Sequence, residues 1–116
     1  MLNEQRNGRR YAMHGMVALV GQDQSMVGHV ADISTSGIAL TLHDERNGFA
    51  DIRKTWLCRV VSPELPEALE FVARIVRPRT TGHGYGLACK IAEISDSNLA
   101  LLESLQKKRQ RVAGYH

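Results

Sequence analysis

Apolar and polar residues alternate with a period of two along most of the chain. Such alternation over five or more residues predicts a β-strand that buries one of its faces. The clearest case is the stretch LEFVARIVR at 69–77, in which Leu69, Phe71 and Ile75 fall on one side. On the same grounds, strands are predicted near 14–20, 26–33, 37–43, 55–62, 69–77 and 85–91.

The period changes after the last of these strands, where serine, aspartate and asparagine residues suited to a helix N-cap precede a leucine-rich run. Leu99, Leu102 and Leu105 are spaced by three residues, as on one face of a helix. This pattern predicts a helix near 96–110, within a C-terminal segment 95–110. We expect its leucine stripe to pack on the core rather than to form an interface.

The first ten residues, MLNEQRNGRR, are polar and follow neither period, so they predict a flexible arm. The length of 116 residues suggests a single domain, 1–116. Within it we assign an arm at 1–13, an all-β region at 14–93 and the C-terminal helix. Six short strands followed by one helix indicate an antiparallel barrel or curled sheet with an appended helix.

Composition narrows the class of protein. With 43% hydrophobic and 23% charged residues, the chain is typical of a globular domain. No apolar run approaches the ~18 residues of a membrane span, and the start lacks an apolar signal core, so a cytoplasmic location is expected. Cys58 and Cys89 each lie in an apolar run and are predicted to be buried, reduced thiols.

Enzyme motifs are missing from the sequence. There is no G-x-S-x-G nucleophile motif, and the five histidines show neither an i, i+4 pairing nor an H-E-x-x-H pattern. We therefore predict no catalytic residue, no metal site and no enzymatic activity.

The connection between the second and third strands has an unusual composition, Asp32-Ile33-Ser34-Thr35-Ser36-Gly37. Asp and Ser side chains bond nearby backbone N–H groups, and glycine accepts positive φ, so a turn is predicted. The same residues also place a carboxylate, a hydroxyl and a glycine together at a strand end, as a ligand site requires.

Positive charge is unevenly distributed. The net charge of +3 is a small excess, but it is concentrated in clusters. Arg6 and Arg10 on the arm each carry a planar fork that can bond a phosphate or the O6/N7 edge of guanine, or stack on a base. The clusters comprise Arg6, Arg9 and Arg10, then Arg74, Arg77 and Arg79, then Lys107, Lys108, Arg109 and Arg111.

The combination Arg6-x-x-x-Arg10 followed by Asp32-x-Ser34-x-x-Gly37 resembles the PilZ domain family, whose signature is RxxxR and then [D/N]xSxxG. The resemblance covers nearly the whole chain. It implies a six-stranded antiparallel β-barrel that binds the bacterial second messenger cyclic di-GMP. From the predicted flexible arm beside the barrel, we further hypothesise that binding is relayed by conformational change to a protein partner. These five residues are the predicted ligand-binding set.

The chemistry of the ligand fits these residues, since cyclic di-GMP has two phosphates and two guanines. Asp32 could accept from guanine N1–H and N2–H₂, Ser34 could donate to a phosphate, and Gly37 would allow a close approach. Secondary candidates are Gln5, Arg9 and Ser36.

Other interpretations remain open at this stage. The arginine motif has a second possible frame, from Arg10 to His14, although the spacing to Asp32 favours the frame from Arg6. A small basic barrel that binds RNA or single-stranded DNA is a weaker alternative, because there are only six aromatic residues and no aromatic–basic stripe. A protein-interaction module that needs no nucleotide is the other.

Overall fold

The computed structural model of the chain describes residues 11–43, 54–81 and 84–113. Antiparallel strands make up most of these residues, and one helix follows them. The elements are β1 (Tyr11–Ala12), β2 (Met16–Val20), β3 (Ser25–Ile33), β4 (Gly37–Leu42), β5 (Thr55–Val61), β6 (Leu69–Thr81), β7 (Gly84–Glu93) and α1 (Asp96–Ala113).

The sheet closes on itself. Its strands follow the order β1-β3-β2-β5-β6-β7-β4, and β4 also pairs with β3. Strands β2 to β7 therefore form a ring in which every strand has two neighbours, and closure removes the unpaired edges of an open sheet. The predicted six-stranded antiparallel barrel is confirmed.

Alternate residues of the six barrel strands fill the interior, as the sequence pattern predicted. On β5, for example, Trp56, Cys58 and Val60 are buried while Leu57 and Arg59 between them are exposed. The largest fully buried side chains of the barrel strands come from β2, β3, β4, β6 and β7 as well. They include Leu19, Met26, Ile33, Leu40, Leu69 and Leu87.

Strand β1 corrects the predicted boundary of the arm, which we placed at residue 13. Tyr11 and Ala12 pair with Ile33 and Asp32 of β3, beyond the point at which β2 stops pairing with that strand. Met13 is then 6% exposed and belongs to the core. The backbone pairing and the buried methionine thus attach residues 11–13 to the barrel.

Proline does not end β6, although the predicted strand at 69–77 stops directly before Pro78. The strand continues to Thr81, and Pro78 pairs with Leu87 of β7. An irregularity in the pairing lies between Ile75 and Arg77, directly before the proline. Proline is tolerated beside such bulges because a missing N–H there need not break the ladder.

Helix α1 begins where the sequence predicted and extends three residues beyond the predicted end. Ser95 is its N-cap, since its Oγ accepts a hydrogen bond from the backbone N–H of Asn98 at 3.2 Å. Leu102 and Leu105 are buried in the barrel core. The leucine stripe is therefore a packing surface, as expected. Within the part of the chain that the structure describes, no helix is both long and apolar enough to cross a bilayer.

Both cysteines are free and buried, as predicted. Burial raises the pKa of the Cys89 thiol to about 12. Burial, together with the nearby Cys89, raises the pKa of Cys58 above its ordinary range. Because the thiolate is the reactive form, neither side chain is poised for nucleophilic or redox chemistry.

The two thiols are therefore expected to react very slowly with a water-soluble disulfide reagent at pH 8 in the folded protein. In denaturant, where burial is lost, both should react at the rate of a free cysteine. The measurement is the number of thiols labelled against time in each condition. Rapid labelling of one thiol in the folded state would contradict this description of the core.

Candidate functional site

Ser34 organises the turn between β3 and β4 with its side chain. Its Oγ accepts hydrogen bonds from the backbone N–H groups of Ser36 at 3.2 Å and Gly37 at 3.3 Å. Its own N–H donates to the Gly37 carbonyl at 2.9 Å. A serine side chain that accepts from residues two and three ahead mimics a backbone turn. Ser34 is 2% exposed, so these bonds are sheltered from water.

Ser36 lies on the outer side of the same turn and is exposed. Its Oγ is 3.0 Å from Ser34 Oγ, and its carbonyl accepts from the Ile91 N–H at 3.0 Å. The turn is therefore tied to β7 as well as to its own ends. Of the two hydroxyls, the one on the secondary candidate Ser36 is the more accessible.

Gly37 is required for a reason that differs from the one expected. Its φ lies outside the left-handed region, so positive φ is not what selects glycine. Instead, a Cβ at this position would lie 2.3 Å from the carbonyl oxygen of Cys89 on β7. Such a contact is far inside the van der Waals limit, so any side chain would push β4 away from β7.

Asp32 lies beside this turn on the outward side of β3. The pairing of β3 with β4 is irregular between Val30 and Asp32, and beyond this bulge Asp32 pairs with Ala39. The bulge inserts Ala31 and shifts the alternation, so that Asp32 faces outward and Ile33 enters the core. A half-buried carboxylate thus lies two residues before the Ser34 hydroxyl.

The predicted arm residues Gln5, Arg6, Arg9 and Arg10 lie outside the described residues. The described chain begins with Tyr11, whose partner in β3 is Ile33, the residue between Asp32 and Ser34. Of the predicted set, the structure therefore brings Asp32, Ser34 and Gly37 together with Ser36.

Two rows of outward-facing positions continue from these residues across the sheet. The first runs from Asp32 through Ala39 and Ala88 to Arg77, one residue on each of β3, β4, β7 and β6. Ala39, which is 4% exposed, and the half-buried Ala88 have short side chains, so the surface is depressed in the middle of this row. We call the resulting depression the trough.

The second row starts at the turn and runs from Gly37 to Lys90 and then to Arg74. Lys90, Arg74 and Arg77 are all exposed. A surface cavity of about 580 Å³ lies here. Its lining consists of Ser36, Val76, Arg77, Ala88, Cys89, Lys90 and Ile91. Of the predicted site residues that the structure describes, Ser36 lines this cavity together with the cationic side chains of Arg77 and Lys90, and Asp32 lies at the end of the first row.

Sequence analysis grouped Arg74 and Arg77 as a basic cluster but did not connect them with the motif, and it did not single out Lys90. The missing information was the register of β7 with β4, which places Lys90 directly opposite Gly37. The only signal in the sequence was that Lys90 falls on the outward-facing side of the predicted strand at 85–91.

Metal chemistry has no support in this region. Within residues 11–43, 54–81 and 84–113, no group of three histidine, cysteine or acidic side chains is arranged to hold a metal ion. The trough offers hydroxyl, carboxylate and cationic groups, which together suit a ligand with anionic groups and polar base edges.

The match to known families agrees with this architecture. The family model for the PilZ domain matches residues 4–107, which is most of the chain. The chain therefore belongs to the PilZ domain family. No curated protein sequence matches it significantly.

Solved structures show the same fold. The structure of YcgR from Escherichia coli in complex with c-di-GMP has a TM-score of 0.76 at 13% identity, over 96% of this chain and 48% of that chain. The Bacillus subtilis inhibitor of motility MotI/DgrA has a TM-score of 0.68 at 18% identity, over 88% and 49%. This chain thus spans about half the length of those two proteins.

A third structure, the PilZ domain of E. coli YcgR with c-di-GMP, is similar in length. It has a TM-score of 0.61 at 12% identity and covers 91% of this chain and 96% of that chain. At these identities the comparisons establish the fold of the barrel.

The turn geometry predicts different costs for two serine substitutions. Ser34→Ala removes the acceptor of two backbone N–H groups, one on the buried Gly37, so it should destabilise the domain by about 1–3 kcal/mol. Ser36→Ala removes an exposed hydroxyl and should change stability by about 0.5 kcal/mol or less. Urea denaturation of both variants measures the difference, and equal stabilities would contradict the role given to Ser34.

Proposed function

We propose that this domain is a receptor for cyclic di-GMP, which it binds through Arg6, Arg10, Asp32, Ser34 and Gly37. The observation that carries the proposal is the trough of this PilZ domain, where Asp32 and the Ser34–Gly37 turn adjoin an anion-attracting surface. Two of the similar structures contain c-di-GMP, and this supports the choice of ligand. PilZ domains are ligand-binding receptors rather than enzymes.

Asp32 reads a guanine in this proposal. An ionised carboxylate has two oxygens that accept hydrogen bonds, and the guanine edge presents N1–H and N2–H₂ side by side. Asp32 lies on the outward side of β3, at one end of the first row of the trough. An alanine at this position would offer no acceptor to that edge.

The two serines have different roles in this proposal. Ser34 Oγ already accepts from two backbone N–H groups, so it has one proton left to donate, either to Ser36 Oγ or to a ligand oxygen. We assign Ser36, with its exposed hydroxyl, a secondary contact. Gly37 lets the turn lie against β7. Because glycine has no side chain, the surface beside it stays open.

The chain connects Arg6 and Arg10 closely enough to β1 for both side chains to reach the trough. Arg10 directly precedes Tyr11, and Tyr11 pairs beside Asp32 and Ser34. Arg6 is five residues from Tyr11, so at most ~18 Å of extended backbone separates them. Both guanidinium groups can therefore contact a ligand in the trough through phosphate or guanine, or stack on a base. Gln5 and Arg9 are secondary candidates on the same segment.

The proposed output is a change of surface that a protein partner recognises. Binding orders the arm over the trough and alters the face that the domain presents.

Calorimetric titration with cyclic di-GMP tests the proposal. Arg6→Ala, Arg10→Ala and Asp32→Ala should each weaken binding about tenfold to a hundredfold or more, because each removes a charge-assisted hydrogen bond. Arg59→Ala is the matched control, because Arg59 forms an ion pair with Glu70 at 2.6 Å and lies away from the trough.

Titrations with GTP and cyclic di-AMP test the specificity of the site for this ligand. Wild-type affinity in both arginine variants would remove the arm from the mechanism. Absence of cyclic di-GMP binding by the wild type, with steeply salt-dependent binding of RNA, would favour the nucleic-acid alternative instead.

A further inference from the structure

We infer that Lys90, together with Arg77, forms a second wall of the ligand site and contacts the phosphates of the bound nucleotide. This inference rests on the proposed function and adds residues on β6 and β7 that lie outside both sequence motifs. It is drawn from the register of the strands and from the charges that the register brings together.

The register fixes the position of Lys90 relative to the motif. Lys90 pairs directly with Gly37, so the two Cα atoms are neighbours across the β4–β7 ladder. Gly37 has no side chain, and nothing from that position shields the ammonium group. The backbone of Ser36 is joined to β7 at Ile91, the next residue after Lys90. The turn and the lysine are therefore held in one rigid unit.

Distances across the sheet suit a nucleotide. Adjacent strands are ~4.8 Å apart, so Asp32 on β3 and Ala88 on β7, which lie in one row, are separated by two spacings, or about 10 Å. Lys90 lies two residues further along β7, so its Cα is about 12 Å from that of Asp32. Arg77 on β6 adds one further spacing to the row that begins at Asp32. A ligand with a guanine at Asp32 can thus extend over Ala39 and Ala88 and present phosphate oxygens to the cationic wall.

The charges in the second row have an unfavourable arrangement when no anion is bound. Lys90 pairs directly with Arg74 in the β6–β7 ladder, and like charges directly opposite each other destabilise a sheet. Neither residue, nor Arg77, has an ion-pair or hydrogen-bond partner in the described part of the chain.

Another charged cross-strand pair in this barrel consists of opposite charges. In the β5–β6 ladder Arg59 pairs with Glu70, and their side chains form an ion pair at 2.6 Å. The two rows together place three exposed cations, Lys90, Arg74 and Arg77, around the trough without such a partner among the described residues. A bound phosphate supplies the missing negative charge.

The test is calorimetry with cyclic di-GMP on Lys90→Gln, with Lys107→Gln on the exposed face of α1 as the matched control. Lys90→Gln should weaken binding roughly tenfold, and its deficit should shrink at high salt as the charges are screened. Lys107→Gln should bind within about twofold of the wild type. Lys90→Arg keeps the charge and should restore most of the affinity, and Arg77→Gln should also weaken binding.

The melting temperature of each unliganded variant separates lost contacts from lost folding. Lys90→Gln should melt at or above the wild type, because it removes the repulsion with Arg74. Wild-type affinity in Lys90→Gln, while the arm variants lose binding, overturns this inference and leaves the proposed function intact. Absence of binding by the wild type overturns the proposed function and this inference together.

Discussion

The close approach of β4 to β7 at Gly37 is the contact on which the site depends. The position that a Cβ would occupy lies 2.3 Å from the Cys89 carbonyl oxygen, so the two backbones meet only because residue 37 is glycine. This contact lies next to the Gly37–Lys90 pair and to the hydrogen bond from Ile91 to Ser36. It therefore connects the turn to the strand that carries the cationic wall, and it completes one side of the barrel.

The residues of the turn have structural roles before any ligand binds. Ser34 satisfies two backbone N–H groups in a buried position, and Gly37 permits the strand contact. A turn that already satisfies its own backbone is rigid, so little ordering would be needed there on binding. In the proposed function, the ordering cost and the conformational signal would arise from the arm. Asp32, Ser36 and the proposed contact Lys90 would then supply the side chains that distinguish one ligand from another.

Much of the fold could be predicted because the barrel strands obey simple alternation. The core of β5 follows directly from Trp56, Cys58 and Val60, and the leucine spacing predicted α1. Pro78 was misjudged because local propensity favours a strand end, whereas pairing with β7 overrides it. Lys90 could not be placed, because its neighbour Gly37 is more than fifty positions away in the chain and only the register of the closed sheet brings them together. The reason for Gly37 was likewise hidden, because a clash with Cys89 is a tertiary contact.

The central claim is that cyclic di-GMP occupies the trough between the β3–β4 turn and the wall on β6 and β7. Titration of the ligand into isotopically labelled protein, followed through backbone amide resonances, tests it most directly. The account predicts the largest shifts at Ser34, Ser36, Gly37, Ala88 and Lys90, with little change at Val20 and Leu57 across the barrel. Saturation of the protein with ligand while the turn and Lys90 resonances stay in place would contradict it.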